Sequence, residues 1–166
     1  MPKSAKPIPE GYHTVTPYLV VNDAAGALEF YEKAFGAKEK ARMPGPGGRI
    51  MHAEFQIGDS MIMLADEVGP NKSPQSYGGS PVSIFLYVDN VDSVFDQAVK
   101  AGAKADMPPQ DMFWGDRFGK LTDPFGHYWA LATHIEDVSP QDMKRRQDES
   151  FANMQQGAGQ SAAQGS

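Results

Sequence analysis

The stretch that decides the fold is VTPYLVVNDAAGALEFYEKAFGAK, residues 15–38. It opens with a β-branched and aromatic run, Val15 to Val21, which is typical of a strand. Asp23 follows as a helix N-cap, apolar residues then recur at helical spacing, and Gly36 provides a stop signal. The segment therefore predicts a strand, a helix and a sharp turn into the next element.

The same order returns later in the chain. Residues 82–104 read VSIFLYVDNVDSVFDQAVKAGAK, and Gly102 lies 66 positions after Gly36 (102 minus 36). Each copy is followed by strand-like material and by a hairpin turn that contains a glycine. Two βαβββ modules, residues 13–66 and 81–134, are therefore expected, joined by an exposed linker of residues 67–80.

The predicted fold class is α+β, with one helix and one twisted sheet in each module. A single module buries only one face of its sheet. The two modules are therefore expected to pair, with curved mixed sheets around a shared cavity. Residues 1–12 are interpreted as a flexible lead-in to a domain of residues 13–146. Residues 147–166 are rich in Gln, Gly, Ala and Ser and are expected to be disordered.

The composition excludes several classes of function. The chain of 166 residues has a net charge of -6 and no cysteine, so disulfides, thiolate chemistry and nucleic-acid binding are not expected. The basic run Lys144 to Arg146 has acidic neighbours and is interpreted as a solvated helix face. No apolar run approaches the ~20 residues of a membrane helix, and the N-terminus does not resemble a signal peptide. A cytoplasmic protein with no membrane partner is expected.

Three stretches carry a resemblance to a known superfamily. They are residues 15–38, MHAEFQIGDSMIMLADE at 51–67, and MFWGDRFGKLTDPFGHYWALATHIEDVSP at 112–140. They resemble the opening strand and helix, the central hairpin and the closing strands of the vicinal oxygen chelate superfamily. This superfamily includes glyoxalases, bleomycin-resistance proteins and extradiol dioxygenases, and the closing stretch is similar to its PhnB-like branch. The resemblance covers about residues 12–145 and implies a glyoxalase-like fold.

The resemblance also implies four metal-ligand positions, which metal-dependent members of the superfamily use. In this sequence they fall at Thr16, Glu54, Ser83 and Ala130. Glu54 is a plausible ligand, whereas Ala130 has no donor atom and neutral hydroxyls are poor ligands beside imidazole or carboxylate. The expectation is a protein without a metal site and without another cofactor.

The first candidate site is the pair His52 and Glu54, which lie two residues apart on one predicted strand. Their side chains therefore point the same way. The functional interpretation is a catalytic acid–base or anchoring pair, and the alternative is a solvated sheet edge with a weak ion pair. Strand parity places Tyr18, Phe85 and Tyr128 on the same cavity wall as ligand-binding residues.

The second candidate site is the tetrad from Trp114 to Arg117. In the functional interpretation Trp114 stacks on a ligand, Arg117 clamps an anionic group, and Asp116 supplies an adjacent charge. The alternative is a structural ion pair of Arg117 with Asp116 or Glu54 around a core tryptophan. The functional interpretation also predicts that Trp114 and Arg117 approach His52 and Glu54, with Arg117 beside Glu54.

The leading hypothesis is a metal-independent protein that binds a small molecule and forms a homodimer with two-fold symmetry. A second hypothesis is a metal-dependent lyase, isomerase or dioxygenase with a rearranged site at His52 and Glu54. A third is a non-catalytic interaction protein that uses its sheet edges. The number of donor groups around Glu54 distinguishes the first two hypotheses, and the presence of a roomy cavity tests the third.

Overall fold

The computed structural model describes residues 5–163 of the chain. Both predicted modules are present, each in the order strand, helix and three further strands. The first contains β1 (Tyr18–Val21), α1 (Ala24–Phe35), β2 (Lys38–Pro44), β3 (Ile50–Ile57) and β4 (Ser60–Asp66). The linker carries the one-turn helix α2 (Pro74–Tyr77). The second module contains β5 (Ser83–Tyr87), α3 (Val91–Ala101), β6 (Lys104–Asp111), β7 (Asp116–Thr122) and β8 (Tyr128–His134), and α4 (Pro140–Ala163) follows it.

Each module forms its own four-stranded mixed sheet. The strand orders are β1-β4-β3-β2 and β5-β8-β7-β6, with one parallel pair in each sheet. Tyr18 pairs with Met63 in the first parallel ladder, and Phe85 pairs with Ala130 in the second. Equivalent residues are therefore 67 positions apart on these strands (85 minus 18). The predicted α+β fold of two βαβββ modules is confirmed.

The helix N-termini are held in the same way in both modules. Asp23 and its counterpart Asn90 cap α1 and α3 with their side chains. Asp66, at the end of β4, accepts a hydrogen bond of 2.8 Å from the first amide of α1. Thr133 on β8 accepts a bond of the same length from the first amide of α3. These caps satisfy amide groups that have no partner within the helix.

The core lies between the helices and one face of each sheet. α1 and α3 pack against each other, and the buried apolar residues on the helix side of both sheets form one continuous cluster. Tyr31 of α1 stacks on Phe55 of the first sheet at 5.2 Å between ring centroids and contacts Trp129 of the second sheet at 5.3 Å. The helix layer therefore joins the two modules and covers the same side of both sheets.

The opposite faces of the two sheets carry no helix layer from α1 or α3. Within residues 5–163, no strand of one sheet pairs with a strand of the other, so the sheets do not close around the expected cavity. Tyr18 is 50% exposed and Phe85 is 46% exposed on these helix-free faces. We call this side of the molecule the open face.

The C-terminal segment differs from the expectation of disorder. Residues 147–163 continue helix α4, while residues 164–166 of the predicted tail lie outside the described residues. Arg146 anchors the start of this helix through an ion pair with Glu136. Gln, Ala, Lys, Arg, Glu and Met are all good helix formers, so a polar composition does not prevent a helix here. None of the helices within residues 5–163 has the length and apolar character of a membrane span.

Candidate functional site

The first sheet brings the predicted pair His52 and Glu54 together and adds a tyrosine. His52 Nε2 lies 3.2 Å from Glu54 Oε1, and His52 Nδ1 lies 3.1 Å from the hydroxyl of Tyr18. Tyr18 reaches His52 across β4, whose Met63 pairs with both Tyr18 and Glu54. The result is a linear hydrogen-bonded network of phenol, imidazole and carboxylate on the open face.

A second tyrosine, Tyr12, lies beside this network, although its sequence position predicted a place in the flexible lead-in. The hydroxyl of Tyr12 is buried against Glu54 and makes no hydrogen bond of ordinary geometry within residues 5–163. Burial and the neighbouring carboxylate raise the pKa of Tyr12 to about 12. Tyr12 and His52 in turn hold the pKa of Glu54 below its usual value. Glu54 is therefore ionised at neutral pH.

The second sheet presents an aromatic cluster, which we define as Phe85, Tyr87, Trp114 and Phe118. The rings of Phe85 and Phe118 stack at 5.6 Å, and Trp114 packs edge-on against Phe118 at 5.7 Å. Tyr87 lies 5.0 Å from Phe85. Such offset and edge-to-face arrangements are the preferred ones for aromatic rings. Strand parity predicted Phe85 at this wall, but Tyr87 and Phe118 were missed.

Asp116 holds this cluster in place, because its oxygens are occupied by protein donors. It is only 3% exposed, and its Oδ2 atom accepts bonds of 3.0 Å from both Tyr87 and Trp114. His134 Nδ1 lies 2.8 Å from Oδ1. Burial opposes the ionisation of Asp116, but the bonds from His134, Tyr87 and Trp114 outweigh it and lower its pKa. Asp116 thus orients the rings, and direct contact with a ligand, as the sequence analysis predicted, does not fit this geometry.

Arg117 does not pair with Glu54, and this prediction was wrong. Its Nε atom donates to Asp92 of α3 at 2.7 Å, and its Nη1 atom donates to Asp111 of β6 at 2.9 Å. Successive side chains on a strand alternate between faces, so the neighbour of Asp116 points toward the helix side. These two carboxylates raise the pKa of Arg117 further. Arg117 therefore forms structural ion pairs, as in the alternative interpretation of the tetrad, but its partners are Asp92 and Asp111 and not Asp116 or Glu54.

Tyr128 lies on the open face at the start of β8 and is 39% exposed. It lines a cleft of about 250 Å³ together with Ser83, Asp106 and Lys120. Lys120 also places its ammonium 5.7 Å from the centre of the Phe118 ring. The ligand-binding role predicted for Tyr128 stays a prediction that this exposed position supports.

The two halves of the open face are built on equivalent positions but carry different chemistry. The equivalents of Tyr18, His52 and Glu54 in the second sheet are Phe85, Phe118 and Lys120, as the matching strand registers show. The ring pairs Tyr18–His52 and Phe85–Phe118 both have centroids 5.6 Å apart. One half of the open face is therefore polar and acidic, while the other is aromatic and basic.

The positions that metal-dependent relatives use for a metal ion do not fit one here. Ala130 is 4% exposed and has no donor atom, and Thr16 and Ser83 offer only neutral hydroxyls. In the part of the chain that the structure describes, no group of three His, Asp or Glu side chains is arranged to hold a metal ion. A single carboxylate, Glu54, does not bind a catalytic metal by itself.

Comparison with known proteins gives a consistent result. The family model of the Glyoxalase/Bleomycin resistance protein/Dioxygenase superfamily matches residues 12–131. An uncharacterized protein of Mycobacterium bovis is 45% identical over 130 residues, which span 75% of this chain and 86% of that protein. The crystal structure of TioX from Micromonospora sp. ML1 is similar at 27% identity, with a TM-score of 0.60 over 74% of this chain and 99% of that chain. A PhnB protein from Bacillus cereus, 21% identical, shares the fold with a TM-score of 0.58 over 73% of this chain and 99% of that one.

Proposed function

This chain belongs to the glyoxalase/bleomycin resistance protein/dioxygenase superfamily, and on that premise we propose that it binds a flat aromatic small molecule without a metal ion. The description of the superfamily names two kinds of enzyme, glyoxalases and dioxygenases, together with bleomycin resistance proteins. The choice between these classes has to come from the site, because a shared fold does not fix a function.

The observation that carries the proposal is the aromatic cluster on the open face. Tyr87 is 64% exposed and Phe85 is 46% exposed, although the core on the helix side is already complete without them. Exposed apolar patches of this kind typically mark binding sites. Asp116 satisfies the polar groups of Tyr87 and Trp114, so the rings can offer their flat faces to a ligand. Planar aromatic compounds are the ligands that such faces bind best.

Fluorescence of Trp114 tests this proposal. The chain has two tryptophans, and Trp129 is only 1% exposed, so a ligand on the aromatic cluster changes mainly the emission of Trp114. The titrants are quinoline, quinoline-2-carboxylate and N-methylquinolinium, which are neutral, anionic and cationic. We expect saturable quenching by at least one of them. Phe85→Leu should weaken that binding by about 0.5–1.5 kcal/mol, the range for a ring–ring contact.

The matched control is Phe151→Leu, the same change at a phenylalanine of α4 that is 48% exposed and lies outside the aromatic cluster. It should leave the affinity unchanged. Absence of saturable quenching by all three quinolines, or equal losses in the two variants, would refute the proposed binding face.

We also propose that the functional unit is a homodimer in which a second copy covers part of the open face. The outer edge strands are protected against further pairing, because β2 carries Lys38, Glu39, Lys40 and Arg42 and β6 carries Pro108 and Pro109. Charged side chains and prolines discourage edge-to-edge association. We place the two-fold contact on exposed apolar residues at the rim of the open face. One of them is Val82, which lines the same cleft as Tyr128 and is 62% exposed.

Light scattering during size-exclusion chromatography tests the dimer. We expect a mass near twice the chain mass of 18.0 kDa at micromolar concentrations. Val82→Glu should shift the mass toward that of one chain, because a second copy would then have to bury an unpaired carboxylate. A wild-type mass of 18.0 kDa throughout this range would exclude the dimer.

A further inference from the structure

The cleft of about 250 Å³ beside Tyr128 adjoins the aromatic cluster on the same sheet. Ser83 of β5 and Lys120 of β7 line this cleft, and Phe85 and Phe118 of the cluster lie two residues away on the same strands. Residues two apart on a strand share a face and are separated by about 7 Å. A ligand that lies on the aromatic cluster therefore reaches the cleft without leaving the open face.

Lys120 connects the cleft with the aromatic cluster. Its side chain lines the cleft, and its ammonium lies 5.7 Å from the centre of the Phe118 ring. Lys120 and Phe85 both pair with Ala130 of the central strand β8, from opposite sides. On that strand only a methyl group separates the cation from the Phe85 ring. The sheet thus presents a positive charge directly beside a flat aromatic surface.

The positive charge of Lys120 is not neutralised by the residues that the structure describes. None of the ion pairs within residues 5–163 includes Lys120. The acidic residue of the cleft, Asp106, already has other partners, because its Oδ2 atom accepts a 2.5 Å bond from Thr122 and its Oδ1 atom lies 3.9 Å from Lys104 Nζ. An ammonium group carries three donors, so Lys120 can receive an anion from a ligand.

Two hydroxyl groups accompany this cation in the cleft. Ser83 pairs with Tyr128 across β5 and β8, and Tyr128 pairs with Thr122, which lies two residues from Lys120 on β7. Diagonal neighbours on one face of a sheet are within reach of long side chains. Ser83 and Tyr128 are both exposed, and hydroxyl groups donate hydrogen bonds to carboxylates. An ammonium and two hydroxyls form a donor set that suits a carboxylate.

We propose that this cleft binds the carboxylate of the ligand whose ring lies on the aromatic cluster, with Lys120 as the cation. The ligand class is a flat aromatic acid whose carboxylate is attached directly to the ring, because the cation lies only 5.7 Å from the Phe118 ring centre. Lys120 thus takes the anion-binding role that the sequence predicted for Arg117, which Asp92 and Asp111 occupy. The inference rests on the proposed function and goes beyond it by specifying the charge of the ligand.

Calorimetric titration of the full-length protein with 2-naphthoate and 2-naphthamide tests this inference, because the two probes share a ring system and differ in charge. We expect tighter binding of the carboxylate than of the amide. Lys120→Met should weaken 2-naphthoate binding about fivefold, the upper range for an exposed ion pair, and leave 2-naphthamide binding unchanged. Unchanged binding of the amide also shows that the variant is folded.

Lys120→Glu provides a second variant, in which the charge is reversed. The equivalent position of the first sheet holds Glu54, so this strand face accommodates a carboxylate. The variant should bind 2-naphthoate more weakly than Lys120→Met does and N-methylquinolinium more tightly than the wild type does, because opposite charges attract. The matched control is Lys100→Met, which removes the same charge from an exposed lysine of α3 on the helix side. It should bind both naphthalene probes as the wild type does.

The outcomes separate the cleft from the aromatic cluster. Equal affinities for 2-naphthoate and 2-naphthamide, or equal losses in Lys120→Met and Lys100→Met, would overturn the carboxylate site and leave the proposed binding face intact. Loss of amide binding in Lys120→Met would also overturn it, because the lysine would then support the binding face as a whole. Failure of both probes to bind the wild-type protein would refute the binding face and the carboxylate site together.

Discussion

Asp123→Ala is expected to lower the free energy of unfolding by about 3–5 kcal/mol, because it leaves several buried donors without an acceptor. Asp123 lies at the turn before β8 and is only 4% exposed. It accepts hydrogen bonds from the Tyr31 hydroxyl at 2.7 Å and from Trp129 Nε1 at 2.8 Å. It also accepts from the backbone amides of Phe125 and His127, both at 2.9 Å.

The size of this effect follows from the place of Asp123 between the modules. Tyr31 belongs to α1 of the first module. Its burial, and to a smaller extent the charge of Asp123, raise its pKa well above the usual value. Its hydroxyl is therefore a permanent donor that needs an acceptor. Loss of Asp123 leaves this hydroxyl and the Trp129 indole without their acceptor in the shared core.

Urea denaturation at one fixed protein concentration measures the effect, since dimerisation would make stability depend on concentration. Asp123→Asn should lower the free energy of unfolding by less than Asp123→Ala, because its amide oxygen still accepts a hydrogen bond. It should remain less stable than wild type, because its NH2 group faces other donors. Asp96→Ala, at an exposed carboxylate of α3, is the control and should stay within about 0.5 kcal/mol of wild type. A loss below about 1 kcal/mol in Asp123→Ala would show that the modules do not depend on this network.

Gly115→Ala should be the second large perturbation and should damage stability and ligand binding together. Gly115 has a φ of 100°, and a Cβ atom there would lie 2.2 Å from the carbonyl oxygen of Glu136. The Gly115 carbonyl also accepts the amides of Ile135 and Glu136 at 2.9 and 3.1 Å, so the two chain segments are held close. We expect a loss of about 2–4 kcal/mol, from backbone strain and from displacement of Glu136.

The functional consequence comes from Trp114, which precedes Gly115 and belongs to the aromatic cluster. A shift of this turn would move the indole away from Asp116, and quenching of Trp114 by the quinolines should weaken in the variant. Gly58→Ala is the matched control, because Gly58 also has a positive φ, 55°, but a Cβ atom there meets nothing within 4 Å. It should cost only about 1–2 kcal/mol and leave binding intact. Equal costs at the two glycines would contradict the steric argument.

The residues of the candidate site were predictable where their placement depended on a single strand. They were missed where their placement depended on contacts between distant parts of the chain. His52 and Glu54 were predicted together because their spacing of two residues fixes a common side of β3. Tyr12 was missed because its position against Glu54 depends on the path of an irregular segment. The predicted partner of Arg117, Glu54, was wrong because Asp92 and Asp111 reach Arg117 from α3 and β6. No feature of the sequence near these carboxylates distinguishes them from Glu54 as partners.

The sequence by itself determined the two modules, the order of their elements and the helix-facing side of each sheet. These features follow from local rules, namely apolar periodicity, capping residues and glycines at turns, which act within about one turn or a few strand residues. Only the tertiary structure decided that the sheets remain unjoined, that Asp116 orients the aromatic cluster and that Tyr18 completes the His52–Glu54 network. Each of these depends on which groups meet across strands far apart in the chain. Burial of one face of each sheet against the shared helix layer specifies the strand register strongly, and the register decides which groups meet.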